Sequence, residues 1–352
     1  MQVYEHPLYL EEVKLLSEYP LPWEKLCNSS VLITGGTGLI GSFLIDVLMY
    51  RNRNCQMNCK IHMICRNTEK AKKRFSPASD LISIIGMDIN QNTTLLEDNH
   101  IDYIIHLASN THPKAYAQDP IGTILTNVIG TKNMLDLGVN KQVKRCLFCS
   151  SVEIYGENNG DCETFDENYC GYINCNTLRA GYPESKRCGE ALCQAYIKQE
   201  KLDIVIARLA RIYGANLNKG DTKAISQFLN NAIEGQNIVL KSKGEQYYSF
   251  LYVFDAVSGI LKVLLSGTNG EAYNISDENS DIRLKDLALM IAQKTDKKVI
   301  FQLPDKVEAA GFSKATLARM DNSKIRELGW EPRYDIKEGI VRTINILREC
   351  EK

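Results

Sequence analysis

Residues 31–41 read Val-Leu-Ile-Thr-Gly-Gly-Thr-Gly-Leu-Ile-Gly. The first four are an apolar run. A helix-like spacing of Leu39, Phe43, Leu44, Val47 and Leu48 starts as the glycines end. Strand, tight turn and helix in that order predict the opening unit of a parallel α/β sheet with a dinucleotide on its turn. Gly35 can turn with positive φ, Gly38 leaves room for a pyrophosphate, and Gly41 permits close helix–strand packing. Free N–H groups at the positive end of the helix suit phosphates. Gly35, Thr37, Gly38, Leu39, Ile40 and Gly41 are therefore cofactor-binding candidates. A β–α turn that holds nothing would read the same way, so other segments must decide.

Working outward, strand-like runs recur at 60–65, 81–85, 103–107, 145–149 and 204–208, with helical patterns between them. Such alternation predicts an α/β fold, a Rossmann-type doubly wound parallel sheet. After about Gly214 the pattern shifts. Residues 225–233 read as helix, and 238–242 and 248–252 read as paired strands. The expected organisation is a dinucleotide-binding domain over 28–212, to which 250–266 returns. A smaller α/β substrate-binding domain would comprise 213–249 and 267–352. Residues 1–27 read as a polar extension with a short helix near 11–18.

The second informative stretch is Tyr182-Pro-Glu-Ser-Lys186, with Ser150-Ser151 upstream at the end of a strand pattern. Tyr and Lys four apart share a helix face, a spacing that chance also produces. The chemistry supplies a reason for the set. A phenol of pKa ~10 is a poor base at neutral pH. A nearby ammonium and an oxidised nicotinamide both favour the phenolate. Tyr182 can then take a hydroxyl proton as hydride leaves the same carbon, with Ser151 orienting or relaying that proton. Lys186 supplies the charge and can hydrogen-bond the nicotinamide ribose.

With these residues in place the chain resembles the extended short-chain dehydrogenase/reductases, in the NAD-dependent epimerase/dehydratase branch that acts on nucleotide sugars. Thr34–Gly41, Asp88-Ile89, His106-Leu-Ala-Ser109, Asn127-Val-Ile-Gly-Thr131, Ile154-Tyr-Gly156 and Arg208–Gly214 fall in family order, as do Tyr252-Val-Phe-Asp255 and Leu328-Gly-Trp330. The resemblance implies that Asp88 and Ile89 frame the adenine. It implies that Leu107, Ala108 and Ser109 line the cofactor and that Asn127 supports the active site. Asn110, Thr111, Arg211 and Tyr248 fall on the substrate side. Residues 178–190 and 108–113 are most similar to UDP-glucuronate decarboxylases. Glu153 fits those enzymes, and on a continuing strand it would share a face with Ser151; it could equally only structure the site.

Three positions depart from the family. Val152 stands where a dehydratase has an aspartic acid and a decarboxylase a serine. Tyr248 replaces an arginine on the sugar diphosphate. Arg66 replaces the acid that NAD enzymes offer to the adenosine ribose. The resemblance thus implies a nucleotide-sugar enzyme using NAD and a transient C4-keto sugar, with decarboxylation, 4-epimerisation and NADPH-dependent ketosugar reduction as competing outcomes. NADP would apply if Arg66 meets a 2′-phosphate; the basic stretch Lys60, Arg66, Lys70, Lys72, Lys73, Arg74 also reads as a solvated helix face. A cofactor-binding sensor without turnover is the other class, and the intact Ser151, Tyr182 and Lys186 set argues against it.

Composition narrows partners rather than reaction. A net charge of −1 argues against nucleic acid or a membrane surface as main partner. No long apolar run predicts a membrane span. Twelve cysteines without regular spacing read as reduced cytoplasmic thiols. Cys146 and Cys149, three apart on a strand, should point to opposite faces. The five histidines do not cluster, His106 reads as a packed side chain, and no metal site is expected. A homodimer is expected from the resemblance.

Overall fold

In a computed structural model the strand-like runs assemble into one seven-stranded sheet. The structure describes residues 1–350 other than 77–79, 92–95, 97–98, 112, 159, 218–219, 303 and 305–314. The strands are β1 (Ser30–Thr34), β2 (Lys60–Cys65), β3 (Ile82–Gly86), β4 (Tyr103–His106), β5 (Arg145–Ser151), β6 (Ile204–Leu209) and, later in the chain, β10 (Ala272–Ile275). Their order is β10-β6-β5-β4-β1-β2-β3, every pairing parallel. The order reverses between β1 and β4, where parallel sheets open a crevice at the carboxyl ends of their strands.

The sheet is covered on both faces, as a near-continuous apolar strand requires. Val31 and Ile33 of β1 pack with Phe43, Val47 and Leu48 of α2 (Leu39–Asn54) and with α8 (Val253–Ser266). Leu32, between them, packs on the other face with Met134 of α5 (Pro120–Lys141) and Cys193 of α6 (Gly181–Glu200). Cys146 and Cys149 fall into these two different clusters, as their spacing predicts.

The remaining strands depart from expectation. Residues 238–242 and 248–252 do not pair with each other. β8 (Ile238–Leu240) runs parallel to β12 (Val299–Phe301). β9 (Tyr247–Tyr252) has its edges occupied by β7 (Arg211–Tyr213), β13 (Leu317–Ala318) and the antiparallel β11 (Asp281–Arg283). Gly244, at φ 71°, turns the connection away, and its carbonyl accepts the Lys285 N–H at 3.0 Å.

The amino-terminal segment is also not a polar extension. Its helix α1 spans Pro7–Ser17, starting earlier than the charged residues suggest. Pro7 occupies the first turn and the His6 ring accepts the Leu8 N–H at 3.1 Å, capping it. Tyr9, Val13 and Leu16 are buried, and Tyr9 meets Phe43 edge-to-face at 5.3 Å. Glu12, 1% exposed, accepts the Tyr252 hydroxyl at 2.9 and 3.0 Å and the Arg342 guanidinium. Arg342 comes from the terminal helix α11 (Ile336–Cys350). Similarly, Arg74 of α3 (Thr68–Phe75) is not part of a solvated basic face. It is paired with Asp46 of α2, whereas Lys72 and Lys73 remain exposed.

Glu12→Ala should lower stability by roughly 3 kcal/mol, because it removes the buried partner of a partly buried guanidinium and leaves it only the more exposed Glu11 at 3.4 Å. The check is urea unfolding, with a lower midpoint and an unchanged slope.

Candidate active site

The glycine turn leads from β1 into α2 and forms one wall of a cavity of about 630 Å³ at the crevice. Gly35 has φ 71°, and a Cβ there would sit 2.9 Å from the Ala108 nitrogen. A Cβ on Gly41 would lie 2.5 Å from the Gly35 carbonyl oxygen and 2.7 Å from Gly36 Cα. The protein's own packing therefore requires both glycines. Gly38 differs: the single neighbour of its added Cβ within reach is the Gly35 oxygen at 3.3 Å. Gly38 is also the N-cap of α2, and no side chain caps the helix start. The first N–H groups of α2 thus stay available beside the cavity, next to a residue whose missing side chain leaves room. That cradle fits a pyrophosphate.

Behind this wall runs a buried chain of hydrogen bonds. The Thr34 hydroxyl oxygen accepts the N–H groups of Leu107 and Ala108, each at 3.1 Å. With both lone pairs used, its hydrogen goes to His106 Nδ1, 2.8 Å away. His106 Nε2 then donates to the Thr131 hydroxyl at 3.2 Å, which donates to the Asn127 carbonyl at 2.5 Å. Burial, helped by the Lys186 charge, pushes His106 down to about 3, so the ring is neutral. It is a packed histidine, as its sequence context indicates. The Asn127 side chain continues the chain. It accepts the Ser109 hydroxyl at 2.7 Å and donates to Ser185 at 2.9 Å, and Ser185 donates to the Tyr182 carbonyl at 2.8 Å.

The reactive set lies where β5 faces α6. Tyr182 and Lys186 lie near the start of α6, both buried. Burial pushes the Tyr182 phenol up, and a hydrogen bond with Ser151 draws it back, as does the charge of Arg179. Lys186 Nζ donates to the Cys149 carbonyl at 2.7 Å and lies 4.8 Å over the Phe148 ring. Burial pushes this ammonium down. Ser151 ends β5, and its hydroxyl accepts the Glu153 N–H at 3.3 Å.

Glu153 is not on a continuing strand. It belongs to a 3₁₀ turn over Val152–Tyr155, so strand alternation is not what puts it near Ser151. The turn folds it into the same cavity, where Arg179 donates to Oε2 at 2.7 Å and Arg211 to Oε1 at 3.3 Å. The Arg211 guanidinium lies 3.6 Å over the Tyr248 ring. Tyr248 lines the cavity, but its hydroxyl donates to the Ala315 carbonyl at 2.8 Å. It therefore supplies the cavity with a flat ring rather than a free hydroxyl.

All the candidate residues named from the sequence line this one cavity except Asn127, which is wholly buried behind it. Arg66, exposed after β2, lines one end with Lys70, Asp88 and Ile89. Leu107, Ala108, Asn110 and Thr111 follow β4, and Lys223, Lys241 and Tyr248 lie on the walls contributed by residues beyond 213. Two lining residues that touch the reactive set, Tyr116 and Arg179, are among those that escape the sequence reading. Tyr116, on α4 (Pro113–Gln118), is buried and stacks on Tyr182 with ring centres 4.8 Å apart. Arg179 precedes Tyr182 by three positions, about one helical turn, which is the signal that could have found it. Tyr116 had no such signal.

Comparison with known proteins agrees with the fold. The sequence pattern of the NAD dependent epimerase/dehydratase family matches residues 31–276. UDP-glucuronic acid decarboxylase 3 of Arabidopsis thaliana is 32% identical over 329 residues, covering 92% of this chain and 91% of that protein. UDP-glucuronic acid decarboxylase 1 of Danio rerio is 31% identical over 344 residues, covering 96% and 76%. Among solved structures, the dTDP-glucose 4,6-dehydratase of Streptomyces venezuelae, with NAD bound, superposes with a TM-score of 0.78. It shares 24% identity, with 91% of this chain and 97% of that one covered.

The glycines separate packing from binding. Gly41→Ala should destabilise the turn itself, seen as a lower melting temperature. Gly38→Val should leave melting nearly unchanged and remove most of the nicotinamide that copurifies with the chain, measured per protein after heat release.

Proposed function

The chain belongs to the NAD dependent epimerase/dehydratase family, and within it we propose that it decarboxylates a nucleoside-diphosphate uronic acid, UDP-glucuronate first, through a transient C4-keto sugar. The observation that carries this reading is Glu153, held between two arginines in the cavity that also presents Ser151 and Tyr182. Exchange of a proton and hydride at C4 alone has no use for such a carboxylate. The similar decarboxylases of Arabidopsis thaliana and Danio rerio support the same choice. Val152, buried and apolar, has no proton to give a leaving hydroxyl, which speaks against dehydration.

The chain's own residues divide the work as follows. The α2 N-terminus and its glycines hold the pyrophosphate, and Asp88 and Ile89 frame the adenine. When bound, the nicotinamide supplies the acceptor and later the donor of hydride. Tyr182 takes the proton of the sugar hydroxyl and later returns it, with Ser151 in hydrogen-bond reach to orient that hydroxyl. Lys186, held by its hydrogen bond to the Cys149 carbonyl, is placed to set its charge beside the tyrosine. The carboxylate β to the transient ketone leaves as carbon dioxide, the electrons of its bond to C5 pass into the enolate of that ketone, and a proton from water adds at C5 to restore the ketone before hydride returns. We read the cofactor as NAD, since the hydride returns to the same sugar. Arg66 beside Lys70 is the observation on the side of NADP, and mass analysis of the extracted cofactor decides.

We further infer a homodimer of a cytoplasmic enzyme. α5 exposes Ile121, Ile124, Leu125 and Ile129, an apolar stripe at helical spacing that suits a second copy. All twelve cysteines are free, and no helix among the described residues is long and apolar enough to cross a membrane. Leu125→Glu should shift the sedimenting species to monomer.

Incubation with UDP-glucuronate should release carbon dioxide and yield a UDP-pentose by mass. Tyr182→Phe should lower turnover ~10²–10⁴-fold with the cofactor still bound, and Glu153→Gln should change rate or product. A product of unchanged mass would replace decarboxylation by 4-epimerisation.

A further inference from the structure

Arg179 and Arg211 hold more donors than Glu153 can accept. Each gives one nitrogen to a different Glu153 oxygen, at 2.7 and 3.3 Å. Among the described residues, Nε and one terminal nitrogen of Arg179, and one terminal nitrogen of Arg211, are buried and have no protein acceptor. Buried N–H groups of a guanidinium without acceptors are costly, so native proteins seldom leave them so. The Arg211 plane is pressed on Tyr248 at 3.6 Å, and the Arg179 plane lies 4.9 Å from the Tyr116 ring centre. Both forks are thus braced by aromatic faces before any ligand arrives. Two guanidinium cations against one carboxylate leave an excess of one positive charge. That charge sits beside Ser151 and Tyr182, at the end of the cavity where the sugar ring must react.

We propose that Arg179 and Arg211 together bind the carboxylate carried by the sugar ring and so make the site selective for an acidic over a neutral nucleotide sugar. Glu153 is the counter-ion that keeps the two cations apart and aimed until that carboxylate arrives. The substrate anion supplies the acceptors the free nitrogens lack, in the planar geometry that suits arginine. A neutral hydroxymethyl group leaves them unpaired, and the discrimination follows from that penalty. Tyr248 belongs to the same arrangement. An arginine at that position would repel Arg211, whereas the tyrosine ring supports it.

The inference rests on the reading that a uronic acid is the substrate, so the test measures binding apart from turnover. In a Tyr182→Phe background, which keeps the sugar intact, equilibrium binding of UDP-glucuronate and UDP-glucose is compared by calorimetry. UDP-glucuronate should bind at least ~30-fold tighter, the size of one or two charge-assisted hydrogen bonds. Arg179→Gln and Arg211→Gln should each cut that preference to below ~5-fold, while UDP-glucose affinity moves less than ~3-fold. UDP-glucose binding doubles as the measure of folding. If a glutamine variant binds neither sugar, Arg179→Lys decides: a reduced preference with UDP-glucose retained supports the clamp. Equal losses for both sugars would assign the arginines to the diphosphate and overturn it, as would a parent protein with no preference. If UDP-glucuronate is preferred but never loses carbon dioxide, the decarboxylase reading falls and the clamp stands. If carbon dioxide is released but neither arginine affects preference, the clamp alone falls.

Discussion

The site depends on one buried run of hydrogen bonds that crosses four elements. It starts at Thr34 on β1, passes through His106 on β4 and Thr131 and Asn127 on α5, and ends through Ser185 on the Tyr182 carbonyl of α6. Because Thr34 accepts two N–H groups, every proton in the run has a forced direction. The neutral His106 ring is the hinge of this arrangement, since a protonated ring would have no acceptor for its second N–H at Thr34. The run fixes the backbone after β4 against Gly35 and, through α6, sets the height of Tyr182 above the end of β5. The glycine turn and Tyr182 are thereby parts of one polar framework, although nearly 150 residues separate them.

Most of this sheet is legible in the chain because parallel strands buried on both faces leave continuous apolar runs. The run at 60–65 coincides with β2, and those at 31–34, 103–107 and 204–208 lie within a residue of the observed limits. Pairing after Gly214 is not legible, because it is decided by which edge of β9 is free. β7, β11 and β13 take those edges from three distant places in the chain. Nor do charges reveal their burial. Glu12 and Arg74 look like solvent-facing residues until Tyr252, Arg342 and Asp46 are brought to them.

The site is legible to the extent that local motifs carry it. Gly35, Gly38 and Gly41 act within one turn, and Tyr182 and Lys186 within one helix, so their spacing alone places them. Glu153 reaches the cavity through a tight turn that alternation does not foresee. Tyr116 and Arg211 arrive from other elements, and their relation to Tyr182 and Tyr248 exists only after folding. The replacement of an arginine by Tyr248 looks like a loss in one dimension. In three dimensions it is the platform of a different cation.

The triad of Glu12, Tyr252 and Arg342 also bears on the order in which the molecule forms. Glu12 and Arg342 are 330 residues apart, and closing so long a loop carries an entropic cost. Until the helix of Arg342 packs, α1 can lay Tyr9 and Val13 on α2, but its buried carboxylate lacks that cation. The packing of α1 is therefore completed only when the helix that carries Arg342 is in place.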